Sequence, residues 1–160
     1  MADRVVAPTR IGCVSDTHGL VRPEVLAALA RVDLIVHAGD VGAPEVLERL
    51  REVAPVVAVR GNNDHGAWAM QLPENEVVEI AGRSLYLIHD VNELDLDPAA
   101  AGFDAVVSGH SHRPKLETRG DVLFLNPGSI GPRRFKLPVA LALLRISDRG
   151  VRAKIVELAV

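Results

Sequence analysis

The chain has 160 residues, 48% hydrophobic and 24% charged, the balance and size of one soluble globular domain spanning 1–160, which excludes intrinsic disorder. Eighteen basic residues against twenty-one acidic ones leave a formal charge of −3. That gives no basic excess for tracking a phosphate backbone, so no dedicated nucleic-acid binding is expected, although a local patch is compatible with it.

Met1 to Arg10 carries Asp3, Arg4 and Pro8 and no apolar core of signal-peptide length. No segment approaches the roughly 18 uninterrupted apolar residues of a membrane span. The single cysteine, Cys13, sits in an apolar run; it has no internal disulfide partner and reads as a buried small hydrophobe. These features predict a cytoplasmic protein without membrane association.

Short apolar runs then alternate with amphipathic segments. Arg10 to Ser15 reads as a first strand. Pro23 to Val32 places Val25, Leu26, Leu29 and Val32 at helical spacing, with proline suited to the first turn. Leu34 to Ala38 is a second, buried strand. Pro44 to Val53 repeats the helix pattern with Val46, Leu47, Leu50 and Val53, and Val56 to Val59 is a third strand. This β-α-β-α-β order calls for a parallel sheet.

The second half changes character. Glu76 to Ile80 and Arg83 to His89 flank Ala81-Gly82, a hairpin turn. Leu94 to Ala101 reads as a short helix. Further strands are expected at Ala105 to Ser108, Lys115 to Arg119, Val122 to Leu125, Pro138 to Ile146 and Val151 to Leu158, with turns at Gly120-Asp121 and Asp148-Arg149-Gly150. The fold class is α/β: mixed sheets packed together with helices outside.

Polar residues end six of these apolar runs. They are Asp16-Thr17-His18, Gly39-Asp40, Gly61-Asn62-Asn63-Asp64, His89-Asp90, Gly109-His110-Ser111-His112 and Asn126-Pro127-Gly128-Ser129. In open α/β sheets the carboxyl ends of the strands are where ligands bind. Asp16 and His18, and again His110 and His112, stand at i, i+2, which puts both side chains on one side of an extended chain. Four histidines, two aspartates and an asparagine offer nitrogen and oxygen ligands without thiolate, which suits Zn, Mn, Fe, Co or Ni. Seven ligands are too many for one ion with an open position and fit two ions sharing a carboxylate. Asp-x-His, Gly-Asp and Asn-Pro-Gly-Ser alone are ordinary turns, and Gly-His-Ser-His is more telling, since two histidines so close beside a glycine are seldom only core or surface; the order of the whole set, each at a strand end, is the signal.

As an ordered set, these motifs resemble the signature of the calcineurin-like metallophosphoesterases. The short length and Asn126-Pro127-Gly128-Ser129 look like the small prokaryotic phosphodiesterase subfamily. The resemblance spans roughly Ile11 to Arg133 and implies a four-layer α/β/β/α sandwich around a dinuclear centre. By position it assigns Asp16, His18, Asp40 and His112 to one metal, with Asp40 bridging to a second that Asn62, His89 and His110 complete. It implies two divalent transition-metal ions, manganese foremost, with nickel, iron, zinc or cobalt as alternatives. The implied reaction is in-line attack of a metal-activated hydroxide on a small phosphate ester, most simply a diester.

Two positions depart from the family pattern. Asn63 stands where many members carry a phosphate-contacting histidine, and an amide is no general acid. That leaves His65 or a metal-bound water to protonate the leaving group. Asp90 stands where glycine usually follows the metal histidine, and is expected to orient His89. Asn62 and Asn63 are candidate catalytic and substrate-binding residues, His65 a candidate catalytic one. Arg133, in a basic run with Arg134 and Lys136, is a candidate for binding an anionic substrate. His37 reads as a satisfied core histidine, and Trp68 and Met70 as peripheral packing or a subunit contact, a homodimer or higher homo-oligomer being compatible with the chain. Alternatives to the diesterase are a phosphomonoesterase, a nuclease, and a catalytically silent protein-interaction scaffold of the same fold. All seven ligand positions hold metal-binding residue types, which a scaffold does not require.

Overall fold

A computed structural model describes residues 8–160; of the segment Met1 to Arg10 read above, residues 1–7 lie outside the described part. Ten strands and three helices follow one another as β1 (Thr9–Val14), α1 (Pro23–Ala28), β2 (Leu34–His37), α2 (Pro44–Arg51), β3 (Val56–Ala58), α3 (Ala67–Met70), β4 (Asn75–Ile80), β5 (Arg83–Ile88), β6 (Ala105–Val107), β7 (Lys115–Arg119), β8 (Val122–Asn126), β9 (Ala140–Ser147) and β10 (Gly150–Glu157). None of the described helices is long and apolar enough to cross a membrane.

The strands form two five-stranded sheets, ordered β10-β9-β1-β2-β3 and β4-β5-β6-β8-β7. Each contains three parallel strands, β1, β2 and β3 in the first and β5, β6 and β8 in the second, and hairpins supply the antiparallel edges. The sheets pack face to face over Ile11, Cys13, Val36, Leu85, Leu87, Val107, Leu125 and Leu144. Cys13 is fully buried there, and burial pushes its thiol up to about 12, as expected of a small hydrophobe.

The helices α1 and α2 cover the other face of the first sheet through Val25, Leu29, Val46, Leu47 and Leu50. Both begin with proline at the first turn, where its missing N–H is no loss. The first helix stops at Ala28, short of the expected Val32. The amide of Leu29 still reaches back four residues to Val25, but those of Ala30 and Val32 reach back only three. The apolar spacing continues through these turns, which is why the sequence pattern runs past the helix.

The outer layer on the second sheet is thin. Leu94 to Ala101 does not form the expected helix; a 3₁₀ turn at Val91–Glu93 and successive turns lay Val91, Leu94, Leu96 and Phe103 over Tyr86, Ile88, Val106 and Val122. Pro98 and repeated aspartates at 95 and 97 favour turns over helix, and the Asp97 carboxylate accepts from the amides of Ala99 and Ala100. The short α3 has no matching apolar periodicity in the sequence. It packs Trp68 against the helix-side core and leaves Met70 exposed.

Leu144→Ala, between the sheets, is expected to cost about 2–5 kcal/mol of unfolding free energy in denaturant titration, whereas Leu116→Ala, on an exposed face of β7, should cost well under that.

Candidate metal centre

Because both sheets hold three parallel strands, six carboxyl ends meet at one edge, and the polar motifs follow them directly. Asp16-Thr17-His18 follows β1, Gly39-Asp40 follows β2, and Gly61 to Asp64 follows β3; His89 follows β5, Gly109 to His112 follows β6, and Asn126 closes β8. The loops are tied to each other. The Asp16 and His18 amides donate to the carbonyls of Gly39 and Asp40 at 2.9 and 3.0 Å, and the Gly109 amide to His89 at 2.9 Å. Asp64 accepts from the amides of Val41, Gly42 and Gly61 at 3.1, 2.9 and 2.9 Å, joining the loops after β2 and β3. The Asn126 amide donates to the Gly109 carbonyl at 2.9 Å and the Ser111 hydroxyl at 3.0 Å.

Five of the seven sequence-predicted ligand residues, Asp16, His18, Asp40, His89 and His112, form one cluster, and Asn62 and His110 pair beside it, the His110 ring 5.2 Å from that of His89. Asp16 Oδ1 lies 3.4 Å from His112 Nε2, 3.8 Å from His18 Nε2 and 4.0 Å from His89 Nε2. Asp40 Oδ2 lies 3.3 Å from His89 Nε2 and 3.7 Å from His18 Nε2. The Nε2 atoms of His18 and His112 are 3.4 Å apart, and His110 Nδ1 is 3.2 Å from Asn62 Oδ1. Bond lengths of about 2.0–2.1 Å around a tetrahedral ion put its donors about 3.3–3.4 Å apart, so several of these separations already match a coordination edge. Candidate ligand atoms of Asp16, His18 and His112 fall within 4.8 Å of one another, as do those of Asp16, Asp40 and His89. Asp16 Oδ1 and His89 Nε2 are buried without a hydrogen-bond partner, which is costly unless a cation completes them. The donor set and these orphaned atoms fit bound divalent metal.

The backbone shows what this convergence requires. Among the described residues seven non-glycines have positive φ, and five belong to the site: Asp16 (56°), His18 (44°), Asp40 (55°), His110 (72°) and His112 (62°). Aspartate and histidine tolerate this region better than most residues, yet each such residue costs roughly 1–2 kcal/mol. The expectation that the i, i+2 pairs project from an extended chain is therefore corrected: both members of each pair are left-handed, and tight turns aim the side chains. Two glycines permit the loops to approach. A Cβ on Gly61 would collide with the Asp40 backbone nitrogen and carboxylate, and one on Gly109 with the hydroxyl of Ser15 and, at 2.7 Å, Asp16 Oδ2.

Burial alone would raise the Asp16 and Asp40 carboxyls. The contacts with His112 and Ser15 outweigh it for Asp16, and those with His89 and Asn63 do so for Asp40, so both sit below the ordinary carboxylate range. His89 shows the converse. Burial disfavours its charged form, but the Asp40 and Asp16 carboxylates raise its pKa above the usual value. Its Nδ1 meets the Ala38 carbonyl at 2.7 Å, which makes Nδ1 the protonated nitrogen and turns Nε2 toward the carboxylates. Ala38, not Asp90, orients His89. Asp90 Oδ2 lies instead 3.8 Å from His110 Nε2, because the chain turns after β5 and sends consecutive side chains to different neighbours.

Asn62 and Asn63 are both exposed at this edge. Asn63 donates its backbone N–H to Asp40 Oδ1 at 2.9 Å and its side-chain amide to Oδ2 at 3.0 Å. His65 is exposed two residues further on. Arg133 is not brought into the cluster; its guanidinium donates to the Val160 carbonyl at 3.1 Å.

His37, read as a satisfied core histidine, is one. Its Nδ1 accepts from the Gly39 amide at 3.1 Å, so Nε2 carries the proton and donates to Thr17 Oγ1 at 3.0 Å, which donates to the Val41 carbonyl at 2.7 Å. It thus holds the loops after β1 and β2 together. Full burial pushes its pKa down to about 4. Sequence reading missed the Asp64 clamp, the Asn126 bridge and Arg22, which donates to the carbonyls of Ile130 and Gly131, both at 2.8 Å. Only the position of Asp64 and Asn126 inside the strand-end motifs hinted at their roles.

Comparison with known proteins agrees with this geometry. The family model described as the calcineurin-like phosphoesterase superfamily domain matches residues 9–149. A probable metallophosphoesterase of Methanocaldococcus jannaschii is 35% identical over 161 residues, covering 92% of this chain and 81% of that protein. The phosphodiesterase YfcE of Escherichia coli is 30% identical over 145 residues, covering 77% of this chain and 78% of its own. The solved structure of vacuolar protein sorting 29 from Cryptosporidium parvum has a TM-score of 0.75 at 19% identity, covering 96% of this chain and 99% of that one, a likeness of fold alone.

Two histidines set opposite pH dependences in the metal-free protein. His37 is depressed from 6.5 to about 4, so the unfolded chain binds more protons between those values; stability is complete above 6.5 and falls as pH drops through the window. His89 is raised, so its contribution is complete below the unfolded value and is lost as pH rises through its folded pKa. Denaturant titrations across pH 4–9 (about the range of both limbs) should therefore peak near the ordinary histidine value. In His37→Gln the acid limb should flatten by on the order of 3 kcal/mol; an unchanged acid limb would contradict the assignment.

Proposed function

The chain belongs to the calcineurin-like phosphoesterase superfamily, and we propose that it is a metal-dependent phosphodiesterase with a dinuclear centre that hydrolyses a small phosphate ester by in-line displacement. The observation that supports this reading is the convergence of Asp16, His18, Asp40, His89 and His112 at one sheet edge, with the Asn62–His110 pair beside His89. Asp16, His18 and His112 would hold one ion, and Asn62, His89 and His110 the other, with Asp40 shared. Nitrogen and oxygen donors without thiolate suit manganese, nickel, iron, zinc or cobalt, and the family resemblance puts manganese foremost. When bound, the ions supply Lewis-acid charge and lower the pKa of coordinated water toward neutrality.

The chain's own residues set up that chemistry. Asp16 and Asp40 stay ionised at neutral pH because their pKa values are depressed, so they are ready to bind cations without first losing a proton. The carboxylates that raise the His89 pKa favour a proton on Nε2, and a metal would compete with that proton, so metal uptake should strengthen as pH rises. Two divalent ions against two aspartates leave roughly +2 to attract a phosphate anion. Asn63 fixes both oxygens of Asp40 through its backbone and side chain. As an amide it supplies no proton to the leaving alcohol, so that proton comes from His65 or from water. No role is assigned to Arg133.

Chelator-treated protein reconstituted with single divalent metals should hydrolyse bis-p-nitrophenyl phosphate faster than p-nitrophenyl phosphate. Asp40→Asn should remove nearly all of that turnover; full metal-dependent rate in this variant would sink the assignment, and absence of turnover with every metal would favour a scaffold. Asn63→His should accelerate cleavage of esters with alkyl leaving groups, by up to about 10²–10⁴-fold, more than nitrophenyl esters. Equal effects on both would show that the missing acid is not what limits the rate.

A further inference from the structure

The opposite end of the first sheet carries a second charged feature, remote from the metal centre. Arg10 is the second residue of β1, and Asp16 lies six residues further on, about 20 Å away along an extended chain. Arg10 pairs in register with Arg145 on β9, and Arg145 pairs in register with Arg152 on β10. Three arginines therefore stand side by side across three neighbouring strands. Directly opposed like charges destabilise a sheet. Lys154, two residues along β10, shares their face, and Arg31 approaches from the turn after α1.

These five cations line one groove of about 520 Å³, and no carboxylate lines it. The groove exists because α1 stops at Ala28 and leaves that end of the sheet uncovered, so Ala27 and Ala28 form its apolar wall. Asp33 is close by, but its carboxylate accepts the backbone N–H of Arg10 at 2.8 Å. Among the described residues none of the five side chains enters an ion pair. A chain of net charge −3 thus concentrates unneutralised guanidiniums in one register, where each offers a planar fork suited to phosphoryl oxygens. Two strand spacings make the row about 10 Å long, which exceeds one phosphate and fits several in succession.

We propose that this groove binds a linear polyphosphate chain, either inorganic or carried at the end of a nucleotide. The arginine row takes successive phosphoryl groups, Lys154 and Arg31 close the sides, and the neutralised charges relieve the cross-strand repulsion. The site is independent of the metal centre and of the reaction proposed there.

The test is calorimetric titration of the full chain, chelator-treated so that no metal complexes the probe, with tripolyphosphate, ATP, AMP, orthophosphate and a single-stranded RNA. Tripolyphosphate and ATP should bind with an affinity that falls steeply with salt, and AMP and orthophosphate at least tenfold more weakly. Tighter binding of ATP would identify a nucleotide as the source, and equal binding the chain alone; both support the site. The double variant Arg145→Gln/Arg152→Gln should lose tripolyphosphate affinity at least tenfold while keeping the turnover of the metal-reconstituted protein on bis-p-nitrophenyl phosphate. If that variant fails to fold, Arg31→Gln/Lys154→Gln should also weaken binding without disturbing the strand register. Failure of tripolyphosphate to bind the unmodified chain, equal affinity for orthophosphate, undiminished binding by a folded variant, or preference for a single-stranded RNA over ATP would each overturn the proposal.

Discussion

Two carboxylates buried at the edge of two sheets are the constraint around which this molecule is arranged. Asp16 and Asp40 are 0% and 2% exposed, and an unpaired buried carboxylate is among the costliest groups a fold can hold. The surrounding chain answers that cost with donors. Ser15 and the His110 amide reach Asp16 Oδ2, while Asn63 reaches both oxygens of Asp40. Imidazoles at 3.3 to 4.0 Å supply the rest, yet Asp16 Oδ1 still lacks a hydrogen bond. A protein satisfied within itself would have no such atom. A bound cation would satisfy that atom, so the burial of the two carboxylates and the affinity of the site for a cation have the same electrostatic origin.

Holding these groups also strains the backbone. Five site residues in the left-handed region oppose folding by several kcal/mol in aggregate, at roughly 1–2 kcal/mol each. The opposing stabilisation lies outside the ligand set. The Asp64 clamp, the His37–Thr17 chain and the Asn126 bridge join loops that come from different strands, and the sheet-to-sheet core holds the strands themselves. Hydrogen bonds of this kind, one step removed from the candidate ligands, are what fix donor positions in a metal site.

The two ends of the first sheet have contrary electrostatic designs. At the carboxyl end, acidic and imidazole groups lie against one another. At the amino end, cations stand in register with no acid among them. Parallel strands explain the first, since they gather loop residues from distant positions at one edge. The antiparallel β9–β10 hairpin beside β1 explains the second, since it aligns arginines far apart in the chain.

How much of this was legible depends on the range of the interaction involved. The strands, the two covering helices, the hairpins and the seven candidate ligand residues follow from local apolar patterning and from polar residues at strand ends, because burial imposes periodicity on the residues that satisfy it. Tertiary contact alone decided the remainder. The apolar spacing of Leu29 to Val32 could not reveal that α1 ends at Ala28, because a turn buries the same face. The i, i+2 pairs suggested extended chain, whereas the close approach of six loops forces left-handed turns. His89 takes its orientation from Ala38, a backbone carbonyl on another sheet and invisible to side-chain pattern, while the adjacent Asp90 faces His110. The register that sets Arg10 beside Arg145 and Arg152 is likewise a property of strand pairing, since the residues it joins share no local signal in the chain.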